Sequence, residues 1–424
     1  MIINAAVAFM LGFTPAQAQQ PSAPRRPPRQ TTIVVSPAGP VRAITDAIRL
    51  AHDGDTVVVH AGVYREPTIV VAKRVTLLGD GHPVLDGGGP NGVHGILIIR
   101  ADDVTVRGFM LRNVAPSFVE DPAAIRVENA HGCAIESNRI DNAFFGIYLA
   151  RVNDCHVADN VIRAAGTRET ESGNGIHLWT SRRITIERND VRGQRDGIYF
   201  EFVHDSDIRA NTSADNLRYG LHFMYSDDCR YIDNTFRHNG SGVAVMYTKT
   251  VAMRGNRFEQ NGGAAAYGLL LKEISDAHLE NNRFTDNTVA LFADGANRIQ
   301  ARGNTFTGNG WAVRLDASTV DGRFEKNTFR RNTFDVATNS RSPSTEFDGN
   351  YWDEYRGYDL DRDGVGDVPF HPVRLFSIIV EDKPMSLVLA RSTFATLLDA
   401  TERAVPGLTP ERVVDAHPAM RPIP

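Results

Sequence analysis

The sequence predicts an all-β chain wound as a right-handed parallel β-helix, a three-sheet solenoid with an N-terminal helical cap and a C-terminal helical tail. Three observations predict it. Asparagines recur at Asn138, Asn160, Asn189, Asn211, Asn234, Asn256, Asn282, Asn304, Asn327 and Asn350, mostly 22 or 23 residues apart, with longer intervals of 29 and 26 where "GTRETESGN" and "NGGAAAYG" are inserted. Two residues after most of them stands a large apolar side chain, from Ile140 and Ile162 through Phe236, Phe258, Phe284, Phe306 and Phe329 to Trp352, with Ser213 the exception. A unit of this length, rich in Gly, Asn and β-branched residues, is too short for paired helices but fits three short strands separated by turns.

Residues 1–18 carry an apolar run from Ile2 to Phe13 and then Ala16, Gln17 and Ala18, the A-x-A pattern of a secretory signal peptide. No Lys or Arg precedes the run, which leaves the start site open. Residues 19–31 form a Pro/Arg-rich tether, "QQPSAPRRPPRQ", expected to be extended and flexible. No later segment offers the roughly 20 apolar residues that a membrane span requires. The β-helix with its cap is assigned to residues 32–370. Its entry, "PVRAITDAIRLAHDGDTVVVHAGVY", reads as a short amphipathic helix, a Gly turn and a first strand, which would hide the terminal strand edges. Ten marked coils and two or three less regular ones, stacked at about 4.8 Å, give a rod roughly 60 Å long. Equivalent asparagines then form a hydrogen-bonded ladder along the axis. Residues 371–424 leave the repeat, and "PMSLVLARSTFATLLDATERAVPG" reads as helical. This tail either caps the rod or docks on a partner.

Composition narrows the function classes. With 42% hydrophobic and 23% charged residues the 424-residue chain has ample material for a core, and a formal charge of −5 supplies no basic field for a phosphate backbone. Nucleic acid is not expected as a partner on that ground. Cys133, Cys155 and Cys229 each lie five residues before a ladder asparagine, in one inward-facing column. Adjacent coils bring Cys133 and Cys155 within bridging range, but parallel stacked side chains strain a disulfide, so buried thiols are expected. In "DLDRDGVGD", Asp359, Asp361, Asp363 and Asp367 take positions 1, 3, 5 and 9 of a calcium-type loop with Gly364 at position 6. Phe370 stands where the bidentate Glu belongs, so calcium competes with a self-bonded Asx turn.

Aligning the coils on their glycines defines which residues share a column. The strands "GIYLA", "GIHLW", "GIYFE", "GLHFM", "GVAVM" and "GLLLK" place Tyr148, His177, Tyr199, His222, Ala244 and Leu270 in one outward column. Ala150, Trp179, Glu201, Met224, Met246 and Lys272 fall in the next. Met224 and Met246 thus stand about 4.8 Å apart on adjacent coils, with His222 beside Met224. Thioethers and imidazole are soft and borderline ligands that select Cu(I) over Mg, Ca or Mn, which makes Met224, Met246, His222 and His177 the candidate copper ligands. The same strip, with Tyr199, Glu201, Trp179, Tyr225, Tyr247 and Lys272, also reads as a protein-docking surface, because Met adapts to partners. Met253 falls on an inward position and is expected in the core. A third class is a secreted, pectate-lyase-like polysaccharide lyase or hydrolase, or a carbohydrate-binding protein, with Glu201, Tyr199 and Lys272 as its acid/base set. Against it, the column shows no tight carboxylate pair and the chain lacks the D-P-H-D signature of alginate epimerases.

The blocks "GLHFMYSDDC", "GVAVMYTKTVAMRGN", "YGLLLKEISD", "NGWAVRLDAS", "NTFDVATNS" and "GNYWDEYRGYDLDRDGVGDVPFHPVRLFS" are too long and irregular to be generic coils. Together they resemble the NosD family, periplasmic maturation proteins of nitrous oxide reductase, over nearly the whole chain after the tether. The resemblance implies a non-enzymatic periplasmic protein riding on an ABC-type complex of membrane permease and cytoplasmic ATPase. It also implies a copper-chaperone lipoprotein that delivers Cu(I), and nitrous oxide reductase as the recipient in which a copper-sulfide cluster is built. On that reading the apolar helices after Pro384 dock on the membrane subunit and the His/Met face meets the chaperone or the reductase. The ligand assignments rest on the columns alone.

Overall fold

The computed structural model describes residues 30–88, 95–117, 120–263, 266–341, 343–390, 392–405, 409 and 412–423. The signal peptide and nearly all of the tether, residues 1–29, lie outside the described residues. Three parallel sheets run the length of the rod, here called sheet A (14 strands), sheet B (13) and sheet C (12). Each coil passes through C, then A, then B, as in Tyr219–Met224, Cys229–Ile232 and Thr235–Arg237. The next coil opens at Ser241–Met246, with Met224 opposite Met246.

The asparagines form the ladder their spacing predicts. Each donates its backbone N–H and its Nδ2 to the Oδ1 of the asparagine one coil on, as Asn234 does to Asn256 at 3.0 Å for both bonds, and Nδ2 also reaches a carbonyl of the preceding coil. A second ladder, Asn216–Asn239–Asn261–Asn287–Asn309–Asn332, runs along the B-to-C corner. Inside, Phe236, Phe258, Phe284, Phe306, Phe329 and Trp352 stack with centroids 4.2–5.6 Å apart, all within reach of favourable offset stacking. Ser213 stands in this column between Val191 and Phe236, and its hydroxyl donates to the Gly220 carbonyl at 2.7 Å. Met253 is buried, as its inward position predicts.

The cysteine expectation is corrected. Cys133 and Cys155 form a disulfide with Cα atoms 4.5 Å apart, while Cys229 stays free and buried. Both bridged residues stand just before their sheet A strands, after Gly132 and Asp154 in left-handed conformation (φ 72° and 55°). At such a corner the side chains are not held parallel as they are within a ladder. Burial pushes the Cys229 thiol up to about 12, so it is inert as a nucleophile at neutral pH.

Both ends are closed. Helix α1, Ile44–Leu50, buries Ile44, Ala47 and Ile48 over the first coils, and the Glu66 carboxylate accepts the Ile44 and Thr45 N–H groups at 2.7 and 3.0 Å. These are two of the donors that a helix start leaves without partners. At the other end α2, Leu375–Asp382, and α3, Thr393–Ala404, pack Phe376, Val380 and Ala395 against Phe334 of sheet C. The chain then returns to the rod's open end. Asp415 bridges to Phe347 and Phe370, and its carboxylate ends the first asparagine ladder by accepting from Asn350 N, Asn350 Nδ2 and Trp352 Nε1 at 2.9–3.0 Å. Of the two roles weighed for the tail, capping is the one built into the fold.

Candidate functional site

The outward columns of sheet C have the register the glycines predict. Tyr148, His177, Tyr199, His222, Ala244 and Leu270 are successive partners, as are Ala150, Trp179, Glu201, Met224, Met246 and Lys272. Met224, Met246 and His222 are therefore neighbours. His177 is not among them, because Tyr199 occupies the coil between it and His222.

Burial corrects the view of this strip as open to water. His222 points outward yet is only 7% exposed, and Met224, Met246, Trp179, Tyr199, Glu201 and Lys272 are half-buried. The aromatic rings explain it: Tyr199 and Tyr219 close over His222 with centroids 5.1 and 4.7 Å away. His177 is wedged between Tyr148, Phe145 and Tyr199, stacked on the last at 4.7 Å. Its Nδ1 meets Asn174 Nδ2 at 2.9 Å. Burial, with the nearby Arg195 charge, pushes the His177 pKa down to about 3, so the ring is neutral in any physiological medium. Burial also raises Tyr199 to about 12, helped by the Glu201 and Asp196 charges, and the phenol stays protonated.

Beneath the strip lies a polar group that column reasoning missed. Asp196, fully buried, takes a two-pronged ion pair from Arg218, Nε to Oδ1 at 2.9 Å and Nη2 to Oδ2 at 2.5 Å. Burial alone would raise its carboxyl, but His222 and Arg218 outweigh that and hold it below the usual range. His222 Nδ1 faces this pair, 3.9 Å from Asp196 Oδ2 and 3.5 Å from Arg218 Nη2. Its Nε2 is buried and has no hydrogen-bond partner among the described residues. A buried ring nitrogen without a partner costs on the order of 1–3 kcal/mol. The site thus offers two thioethers and one imidazole nitrogen whose other edge faces a carboxylate. That donor set is of the kind that suits Cu(I), while the group nearest to the His222 Nδ1 is the Arg218 guanidinium at 3.5 Å, with the Asp196 carboxylate beyond hydrogen-bond reach at 3.9 Å. The sequence signal for Asp196 was present, since it immediately precedes the Gly197 of "GIYFE".

Along one edge of sheet C, the exposed Phe202, Tyr225 and Tyr247 stack in succession, with centroids 5.3 Å apart for Phe202–Tyr225 and 5.2 Å for Tyr225–Tyr247. Phe202 was not singled out from the sequence. In the acidic loop, Asp359, Asp361 and Asp363 bring carboxylate oxygens within 4.8 Å of one another. Asp367 turns instead to the Leu360 N–H at 2.6 Å, and Asp359 Oδ2 accepts from Gly364 N at 3.0 Å. No helix among the described residues is long and apolar enough to cross a membrane.

Comparison with known proteins follows this geometry. A family described as "Periplasmic copper-binding protein (NosD)" matches residues 163–357, which include the whole Met/His site. A "Probable ABC transporter binding protein NosD" from Pseudomonas aeruginosa is 31% identical over 89% of this chain and 91% of its own length. A protein of the same description from Stutzerimonas stutzeri is 29% identical over 77% and 78%. Among solved structures, the mannuronan C-5 epimerase AlgE6 A-module of Azotobacter vinelandii superposes with a TM-score of 0.53 at 17% identity, covering 72% of this chain and 86% of that one. That likeness concerns the fold alone.

Proposed function

We propose, since this chain belongs to the NosD family of periplasmic copper-binding proteins, that it is an exported accessory protein that carries Cu(I) on the outer face of its β-helix for nitrous oxide reductase maturation. Copper is cargo here, taken up and passed on. The observation that carries the reading is His222: its buried Nε2 has no hydrogen-bond partner among the described residues, its Nδ1 edge faces the Arg218–Asp196 pair, and Met224 and Met246 stand on the same and the next coil. Thioethers and a neutral imidazole hold Cu(I) while remaining labile enough to exchange it. His177, a coil beyond Tyr199, shapes the floor of the face rather than ligating with this set.

Membership of an ABC-type complex with a membrane permease and a cytoplasmic ATPase, with a copper-chaperone lipoprotein as donor, belongs to the same proposal. Relatives described as ABC transporter binding proteins support it. The tail supplies a contact surface, since Met385 and Val388 are 87% and 85% exposed and Phe394 and Leu397 are exposed near them. Apolar side chains this bare mark an interaction site. The polysaccharide-enzyme reading gains less, because Asp196 is locked to Arg218 and Tyr199 and His177 are held neutral.

The test is a competitive Cu(I) titration of the Met224→Ala/Met246→Ala variant. Affinity should fall by at least about tenfold while thermal unfolding barely moves. Unchanged affinity refutes the site.

A further inference from the structure

His222 Nδ1 has two polar neighbours beneath the strip, and they ask opposite things of the ring. Arg218 Nη2 stands 3.5 Å from it and Asp196 Oδ2 3.9 Å. A guanidinium has only donors, so the closer contact is favourable when Nδ1 presents its lone pair, and the neutral ring then carries its proton on Nε2. That tautomer does not suit a metal ligand. Copper needs the Nε2 lone pair, which leaves the proton on Nδ1 in need of an acceptor. The acceptor at hand is Asp196, and Arg218 occupies it through Nε to Oδ1 at 2.9 Å and Nη2 to Oδ2 at 2.5 Å. Stability does not account for this pair. A buried ion pair adds little to it, and the same strand position on other coils holds Asn174, Tyr219 and Ser241.

The surroundings give both residues a second arrangement. Arg195 Nε is buried, has no hydrogen-bond partner among the described residues, and lies 3.8 Å from the same Asp196 Oδ2. The Tyr219 N–H reaches Oδ1 at 3.3 Å. When Arg218 withdraws, Asp196 therefore keeps compensating donors and gains the His222 Nδ1–H. Arg218 is the partner free to move, with its side chain 34% exposed against 0% for Asp196. Its guanidinium already lies over the Tyr219 ring, 5.1 Å from the centroid, and feels the charge of Glu169 on the inserted turn Glu169–Glu171. We propose that Arg218 is the release gate of the copper site: turned inward it fixes His222 in the tautomer that does not ligate, and turned outward it yields Asp196 to His222, which then holds Cu(I) through Nε2. The inference rests on the copper reading of His222, Met224 and Met246. On loading, one proton leaves Nε2 for water and one is taken from water at Nδ1, so the charge of the ring is unchanged. A cation at Nε2 and a guanidinium at Nδ1 also repel, so bound copper and inward Arg218 exclude each other, each weakening the other equally. Arg218 is thus a positioning residue that acts on the metal through His222.

The experiment is ring-nitrogen NMR on the full-length protein carrying isotope-labelled histidine, with the His222 signals assigned by their loss in His222→Gln. Without copper the ring should read as the Nε2–H tautomer, and titration with Cu(I) should convert it to Nδ1–H. A competitive Cu(I) titration and the rate of release to a chelator are then measured in Arg218→Met, which keeps the length of the side chain and removes its charge and donors. Affinity should rise about tenfold and release should slow by a similar factor, the range of effects seen for groups behind a ligating histidine. A merely structural Arg218 predicts the reverse, looser binding. An Nδ1–H ring before copper is added, a tautomer that copper leaves unchanged, or equal or weaker affinity in folded Arg218→Met would each overturn the gate. Should circular dichroism show Arg218→Met unfolded, the two wild-type tautomer readings decide alone. If the Met224→Ala/Met246→Ala variant keeps its copper affinity, the ligand assignment falls and the gate with it. If that variant loses copper while the wild-type tautomer never switches, the gate alone falls.

Discussion

Replacing Asp415 tests how the rod is closed. Its carboxylate accepts from Gly349 N, Asn350 N, Asn350 Nδ2 and Trp352 Nε1, all at 2.9–3.0 Å, and it is fully buried. Each ladder asparagine hands its donors to the next coil, and after Asn350 there is no next coil. Asp415→Ala leaves these four donors, and the His417 N–H that reaches Oδ1 at 3.2 Å, without an acceptor. An orphaned buried donor costs about 1–3 kcal/mol, and the costs do not add fully because the last coil can relax toward water. The expected loss is about 4 kcal/mol, close to that of breaking a buried charge-assisted network. A solenoid passes such a loss on only to its neighbours, so it should be local. Native-state hydrogen exchange reads it directly: the Asn350 and Trp352 amides should exchange roughly a thousandfold faster, while amides near Asn211 keep their protection. Asp415→Asn restores one acceptor oxygen of the ladder type and should cost only about 1–2 kcal/mol. Exchange at Asn350 within about threefold of wild type in Asp415→Ala would refute the reasoning.

Four further outcomes are expected. Opening the Cys133–Cys155 bridge, which spans 22 residues, by the Cys133→Ser/Cys155→Ser double substitution should cost about 3 kcal/mol at the N-terminal coils, seen as a lower urea midpoint for that region. Burial raises the Asp335 carboxyl to about 6 against 3.8 for an ordinary aspartate, with Asn332 and Arg374 opposing the shift and Asp353 adding to it. The native state therefore holds this proton more tightly, and stability falls as pH rises from about 4 through 6, by up to about 3 kcal/mol. Asp335→Asn should recover that at pH 7.5 and gain nothing at pH 4 in paired denaturation curves. Asp196→Asn should weaken Cu(I) binding about 10–100-fold in protein shown folded by circular dichroism, because His222 loses the carboxylate behind it. Calcium at about 1 mM should raise the melting temperature of the C-terminal end reversibly with chelator, an effect that Asp361→Asn/Asp363→Asn abolishes; no shift would leave the loop a self-bonded turn.

The inward half of this chain is legible in its sequence because every inward residue answers to the same neighbours, one coil before and one after. The asparagine ladder, the aromatic stack and the columns of sheet C follow from spacing alone. What spacing could not show depends on contacts across sheets or between distant segments. Asp415 lies 65 residues from its partner Asn350 and outside the repeat. The Asp196–Arg218 pair joins two adjacent coils outside the columns, and His222 is buried by the rings of Tyr199 and Tyr219. The disulfide escapes a spacing argument because its cysteines stand at corners, each directly after a left-handed residue, and not within strands.

Outward positions are where such a rod is free to carry function, and their chemistry bears on the copper and acid–base readings of this face. Acid–base chemistry needs a group whose proton is poised near the working pH. On this face the displaced groups move away from that range: His177 goes down, Tyr199 goes up and Asp196 is tied to Arg218. Carrying a metal ion has the opposite requirement, a lone pair kept free of protons and of hydrogen-bond partners. His222 Nε2 meets the second condition, and the thioethers of Met224 and Met246 bind no protons at all. Cysteine would bind Cu(I) more tightly, yet Cys229 is buried in the core with its thiol pushed up to about 12. The donors left facing outward are therefore the weaker, exchangeable ones, as the proposed carriage and release of copper would require.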